Sequence, residues 1–138
     1  VAAVKAGGKQ RPTRGLTARE RALVKEFERR ELSPADAEAR RLQTSSLQSI
    51  LQLRRGRPGP LPPPDEHFLD TLDPAARAVL DDFSACAVIG ARESVRQGLS
   101  RFVERTGADE LIITTHVFDH GARLRSLELT AQAAELCG

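Results

Sequence analysis

Apolar residues recur along this chain at two periods, and the switch between them divides it. From residue 34 to about 55, Leu42, Leu47, Ile50 and Leu51 mark the buried face of a helix. Its start is signalled by Ser33 as a side-chain cap, Pro34 where a missing N–H costs nothing, and Asp36 near the positive helix end. Asp73 and Pro74 repeat that signal, and Ala76, Val79, Leu80 and Phe83 then fall at i, i+3, i+4 and i+7. Residues 92 to 106 predict a further helix with Val95, Leu99, Phe102 and Val103 inward, closed by Gly107 in the left-handed conformation. Between these helices the period shortens. Residues 84 to 89 (SACAVI), stopped by Gly90, and residues 110 to 118 (ELIITTHVF) are small or β-branched and predict two buried strands. Asp119 or His120 opens a last helix, expected to bury Leu124, Leu127, Ala131 and Ala134.

The order strand, helix, strand, helix predicts a parallel pair joined by a right-handed crossover. Two parallel strands leave two open edges. Either upstream helices cover them in an unusual α/β domain, or the chain is the end of a larger repeated β/α structure. Upstream, residues 1 to 15 read as a flexible basic tail, and Thr17 with Glu20 has capping-box spacing ahead of Leu23, Val24 and Phe27. That predicts a short helix to about residue 30, within a basic leader over residues 1 to 32 that is distinct from residues 33 to 138. The run LRRGRPGPLPPP, residues 53 to 64, holds five prolines and must be an extended surface connection. It suits a rigid spacer, and secondarily a ligand for an aromatic groove.

Composition narrows the class. The chain has 138 residues, 40% apolar and 29% charged, which permits a buried core. No apolar run reaches the roughly 18 to 20 residues of a membrane span. There is no Met, Trp or Tyr, and Val stands first, as in a processed product, a Val read from an alternative start codon, or a fragment. The net charge of +2 conceals asymmetry: residues 1 to 57 hold 14 Lys and Arg against 6 Asp and Glu, and the remainder hold 7 against 13. A basic amino-terminal half suggests a non-catalytic binding module that contacts nucleic acid or an acidic partner. Only five Phe are present and none interleaves with Arg54, Arg55 and Arg57, so nucleic acid is the disfavoured partner. Cys86 and Cys137 lack CxxC spacing, which suggests neither a disulfide framework nor a zinc site and fits a reducing cytoplasm.

Three stretches carry a family resemblance. GADELIITTHVFDHGARLRSLEL, residues 107 to 129, resembles the carboxyl-terminal end of the bacterial luciferase-like, flavin-dependent monooxygenases, in which a strand of type ELxxTT leads through a DH pair into a helix of type ARLRSxEL. EARRLQTSSLQSILQLRRGRPGPLPPP, residues 38 to 64, and AVIGARESVRQGL, residues 87 to 99, agree with the same group and lie in the same order. The resemblance runs from about residue 33 onward. It implies an α/β fold: the last two parallel strands and helices of an eight-stranded β/α barrel, preceded by two to three helices. It also implies reduced flavin mononucleotide (FMN) and dioxygen oxidising a small organic substrate. Barrels of this kind need about 250 residues. The upstream catalytic strands would then lie outside this chain, leaving it inactive alone and open to self-association or completion by another chain.

The resemblance also assigns sites. Strand ends at the carboxyl face of a barrel line its mouth, which places Thr115, His116 and His120 as pocket-lining candidates, with Thr114 nearby. Gly90, Ala91 and Arg92 are candidate contacts for the flavin phosphate. Where the family carries Ser or Thr, then Pro and Glu, this chain has Ala91, Arg92 and Glu93. Without that hydroxyl, the backbone N–H groups of residues 91 to 93 and the Arg92 side chain are the remaining anion donors. His116, Asp119 and His120 offer ligand chemistry in an HxxDH pattern, but zinc needs three or four ligands in fixed geometry. The favoured reading is that Asp119 caps the last helix and no metal is bound.

Overall fold

Side-chain caps start the first two helices. α1 (Pro34–Arg54) begins at Ser33, whose hydroxyl accepts the Asp36 N–H at 3.1 Å. α2 (Pro74–Ser84) begins at Asp73, whose carboxylate accepts the Ala76 N–H at 2.7 Å. Each has proline in its first turn, where no backbone bond is lost. These features belong to a computed structural model that describes residues 2–7 and 33–135. The helix expected over residues 17 to 30 lies outside them.

α1 and α2 pack through Leu47 and Leu51 against Ala76 and Leu80, with Ile50, Phe68 and Leu72 at the margin. Burying each Leu contributes about 1.5–3 kcal/mol. The proline run between the helices is an extended connection, tied back onto α1. Gln48 Nε2 donates to the Pro63 carbonyl at 3.0 Å, and the Asp65 N–H donates to the Thr44 hydroxyl at 2.8 Å. Expected burial along α2 is only half met, because Val79 and Phe83 remain 37% and 41% exposed. α1 covers the Ala76–Leu80 side of α2, and no described element covers the rest of the stripe.

The second half supplies β2 (Ala87–Val88), α3 (Arg92–Thr106), β3 (Glu110–Thr114) and α4 (His120–Glu135). β2 is shorter than expected, because α2 runs through Ser84 and a turn takes Ala85 and Cys86. Gly107 ends α3 in the left-handed region at φ 61°, donating its N–H to the Val103 carbonyl at 2.7 Å. Val95, Leu99 and Phe102 of α3 are buried with Ala133 of α4, and Val88, Leu111 and Ile113 pack against them from the sheet. Val103, also expected inward, is 38% exposed.

Two expectations are corrected by the sheet. Residues 2 to 7 are not a flexible tail; they form β1 (Ala2–Gly7). β2 and β3 are not a hydrogen-bonded parallel pair. The strand order is β2-β1-β3, with β1 antiparallel to both neighbours. Ala2 and Ala3 face Val88 and Ala87, while Ala3 to Gly7 face Thr114 to Glu110. β2 and β3 therefore still run in the same direction, one strand apart. Each presents an open edge to the other, and a proline-free extended segment satisfies both at once.

α4 corrects a third expectation. Leu124 and Leu127 are 48% and 43% exposed, and Ala131 and Ala134 are exposed with them. The packed face is the opposite one, with Thr130 and Ala133 buried and Ala122, Ser126 and Leu129 half-buried. The helix carries apolar residues on both sides, and at about 100° per residue the two sets stand roughly opposite. Ala133 is the residue that joins α4 to the buried cluster of α3.

Candidate functional site

Because β2 and β3 share a direction, their carboxyl ends lie at one end of the sheet. This brings the loop at Gly90 to Arg92 and the loop from Thr115 to His120 to the same edge. The alternation of β3 decides where each side chain points. Leu111, Ile113, Thr115 and Val117 turn toward the helices, with Val117 fully buried, while Glu110, Ile112, Thr114 and His116 are exposed on the other side.

Thr115 and His116 are thereby separated. The Thr115 hydroxyl lies 3.2 Å from the Ser126 hydroxyl of α4, so it anchors helix to strand rather than facing the open side of the sheet. His116 stands on the exposed face with Thr114 and Ile112, and Ile112 is 60% exposed. His120 belongs to the first turn of α4. Its Nδ1 accepts a 2.7 Å hydrogen bond from the Arg123 guanidinium, which has only donors, so the ring proton of a neutral His120 sits on Nε2. Asp119 caps α4: its carboxylate accepts the Ala122 N–H at 2.7 Å and its carbonyl accepts the Arg123 N–H at 2.9 Å. Among the described residues no three His, Cys, Asp or Glu side chains converge.

At the other loop the decisive residue is one that the local pattern does not reveal. Ala91 caps α3 without a side-chain bond of its own. Asp36, from the first turn of α1, supplies the acceptor instead, with Oδ1 2.7 Å from the Ala91 nitrogen and 2.9 Å from the Ser94 hydroxyl. Its Oδ2 accepts the Ser33 hydroxyl at 2.6 Å. Burial pushes the Asp36 carboxyl up, but the bonds from Ser33, Ala91 and Ser94 together outweigh it and hold it below the usual 3.8. Gly90, at φ 150°, lets the chain pass this carboxylate; a Cβ there would lie 2.6 Å from Asp36 Oδ1. Asp36 reads from sequence as a residue of its own helix start, and its second role needs the tertiary contact.

Arg92 is exposed on the first turn of α3. Beside it, Glu93 holds Arg96 through two bonds of 2.6 and 2.9 Å, and those bonds, with one from Gln97, pull the Glu93 carboxyl down to about 2. Elsewhere, Arg41, Pro64, Asp65, Glu66 and His67 line a shallow depression of about 310 Å³ on the first half of the chain. It includes none of the strand-end residues. Among the described residues no helix is long and apolar enough to cross a membrane.

No family model and no solved structure matches the chain. Curated proteins do. A protein of Escherichia coli K12 named luciferase-like monooxygenase is 34% identical over 101 residues, which are 73% of this chain and 30% of that protein. The uncharacterized protein YvbT of Bacillus subtilis is 36% identical over 93 residues, 67% of this chain and 28% of its own length. A second B. subtilis protein, uncharacterized YddN, is 28% identical over 98 residues, 71% of this chain and 29% of its own length. The chain thus spans less than a third of the length of the relatives it matches.

Proposed function

Starting from a chain that is homologous to the luciferase-like monooxygenases over 73% of its length, we propose that it is the carboxyl-terminal part of a flavin-dependent monooxygenase of β/α-barrel architecture. The observation that carries this reading is the one-sided sheet. α3 and α4 cover the face bearing Leu111 and Ile113, while on the opposite face Ile112 is 60% exposed and no described helix packs. In a barrel built of β/α units the helices lie outside, and the opposite sheet face points into the filled interior. The exposed face is then the interior face, the remaining strands supply what it packs against, and β2 and β3, which run in the same direction, pair directly in the whole barrel in place of their pairing with β1.

On this reading the loops after β2 and β3 contribute to the mouth of the barrel. Thr114 and His116 stand on the interior side and meet a small organic substrate or the flavin ring. Thr115 and His120 hold the β3–α4 corner in shape, through Ser126 and Arg123 respectively. Reduced FMN with dioxygen would supply the oxidising chemistry when bound. Gly90, Ala91 and Arg92 serve as phosphate contacts only if the Asp36 carboxylate withdraws. It now takes the Ala91 N–H, and it would repel a second anion brought to the same helix end.

A chain that supplies one end of such a barrel cannot enclose a flavin ring, so it is inactive by itself. Titration into FMN tests this directly. The expected result is no quenching of flavin fluorescence and no shift of its visible bands at micromolar protein. Saturable micromolar binding would overturn the incomplete-site reading.

A further inference from the structure

We infer that the gap between β2 and β3 is a strand-accepting slot, and that residues 2–7 are its resident occupant, held in cis. β2 and β3 run in the same direction, yet neither bonds to the other. Both of their facing edges are taken by β1, which pairs with Val88 and Ala87 on one side and with residues 110 to 114 on the other. At about 4.8 Å per strand spacing, the slot is roughly 10 Å wide, one strand and no more.

Both rims of the slot have helix contacts of their own. β3 is fixed to the helices through Leu111 and Ile113, and β2 through Val88, which pack against a buried cluster that, among the described side chains, comes from α3 and α4. With β1 withdrawn, the rims keep those helix contacts but lose the strand partner they have among the described residues, leaving rows of unpaired N–H and C=O groups. The recognition chemistry is therefore main-chain hydrogen bonding to an extended, proline-free peptide in antiparallel sense. β1 is joined to the helical part through residues 8 to 32. Local opening of such an element costs less than global unfolding.

Hydrogen exchange on the full chain tests this, with Val4→Pro as the perturbation. Val4 faces Ile113, and a proline there removes an N–H from a strand bonded along both edges. The expected result is at least tenfold faster exchange in residues 87–88 and 110–114, with protection in α1 and α2 unchanged. Adding the free peptide VAAVKAGG should restore protection, and the same peptide carrying proline at its fourth position should not. Unchanged protection in the variant, or no rescue by the peptide, would overturn the slot. A second measurement covers a variant that fails to fold. In a Cys86→Ser, Cys137→Ser background, Lys5→Cys with Ile112→Cys should oxidise to a cross-linked monomer at least ten times faster than the off-register Lys5→Cys with Ile113→Cys. Equal rates would overturn the register, and a cross-linked dimer would overturn occupancy in cis.

Discussion

Asp36 caps a helix to which it does not belong: its carboxylate accepts the N–H of Ala91, 55 residues further along the chain, at 2.7 Å. The bond joins the two halves of the molecule, whose buried clusters share no residue. It also explains how α3 starts on Ala91, a residue with no side-chain acceptor.

Removing that carboxylate should therefore cost more than an ordinary surface change. Asp36→Ala leaves the Ala91 N–H and the Ser94 hydroxyl without their acceptor, an expected loss of about 1–2 kcal/mol in urea unfolding. Glu38→Ala, which removes only an exposed pair with Arg41, should shift stability by less than about 0.5 kcal/mol.

The same contact sets an acid limit. The folded-state pKa of Asp36 lies below its ordinary 3.8, so its stabilisation is present above that value and is lost as pH falls through the lower folded value. Urea midpoints measured from pH 5 to pH 2 should fall for the natural chain and fall less steeply for Asp36→Asn. Glu38 and Glu93 are shifted in the same direction and remain in both proteins, so the difference in slope isolates Asp36.

Gly98 gives a test of the α3–sheet contact. Alanine is favoured over glycine within a helix by up to about 1 kcal/mol. Here, however, the added Cβ would run into Val88 Cγ1, with Val88 Cγ2 at 3.2 Å. Overpacking against a strand held by neighbours should win, making Gly98→Ala less stable by about 1–3 kcal/mol in thermal or urea unfolding. A more stable variant would show that β2 yields freely.

Leucines on the two sides of the helical layer should respond differently. Leu99 is 2% exposed in the core between α3, α4 and the sheet, and Leu99→Ala should cost about 2–5 kcal/mol. Leu127 is 43% exposed on the bare side of α4, and Leu127→Gln should change unfolding by no more than about 0.5 kcal/mol.

Local chemistry was legible from the residues wherever the deciding interaction is short in sequence. Ser33 and Asp73 as caps, Asp119 at the start of α4 and Gly107 at the end of α3 all stand as their residue types predict. What could not be read is what depends on distant partners. The two faces of α4 differ little in apolar content, so periodicity alone could not choose between Leu124 and Ala133. β1 escaped notice because AAVKAG, too short and weakly patterned to announce a strand, gains its partners from residues about 80 to 110 positions away. At the site, Thr115 and His116 are neighbours in sequence that the pleat sends to opposite sides, and Asp36 takes a donor that the sequence suggested for an external anion.

The position of β1 has a consequence for how the chain is made. Ala3 and Thr114, which pair in the finished sheet, are separated by about 110 residues of synthesis. At roughly 5–20 residues per second, β1 waits on the order of 5 to 20 s after its own synthesis for the second of these two partners to be translated. Until β3 has been made, β1 is available to anything else that offers an open edge.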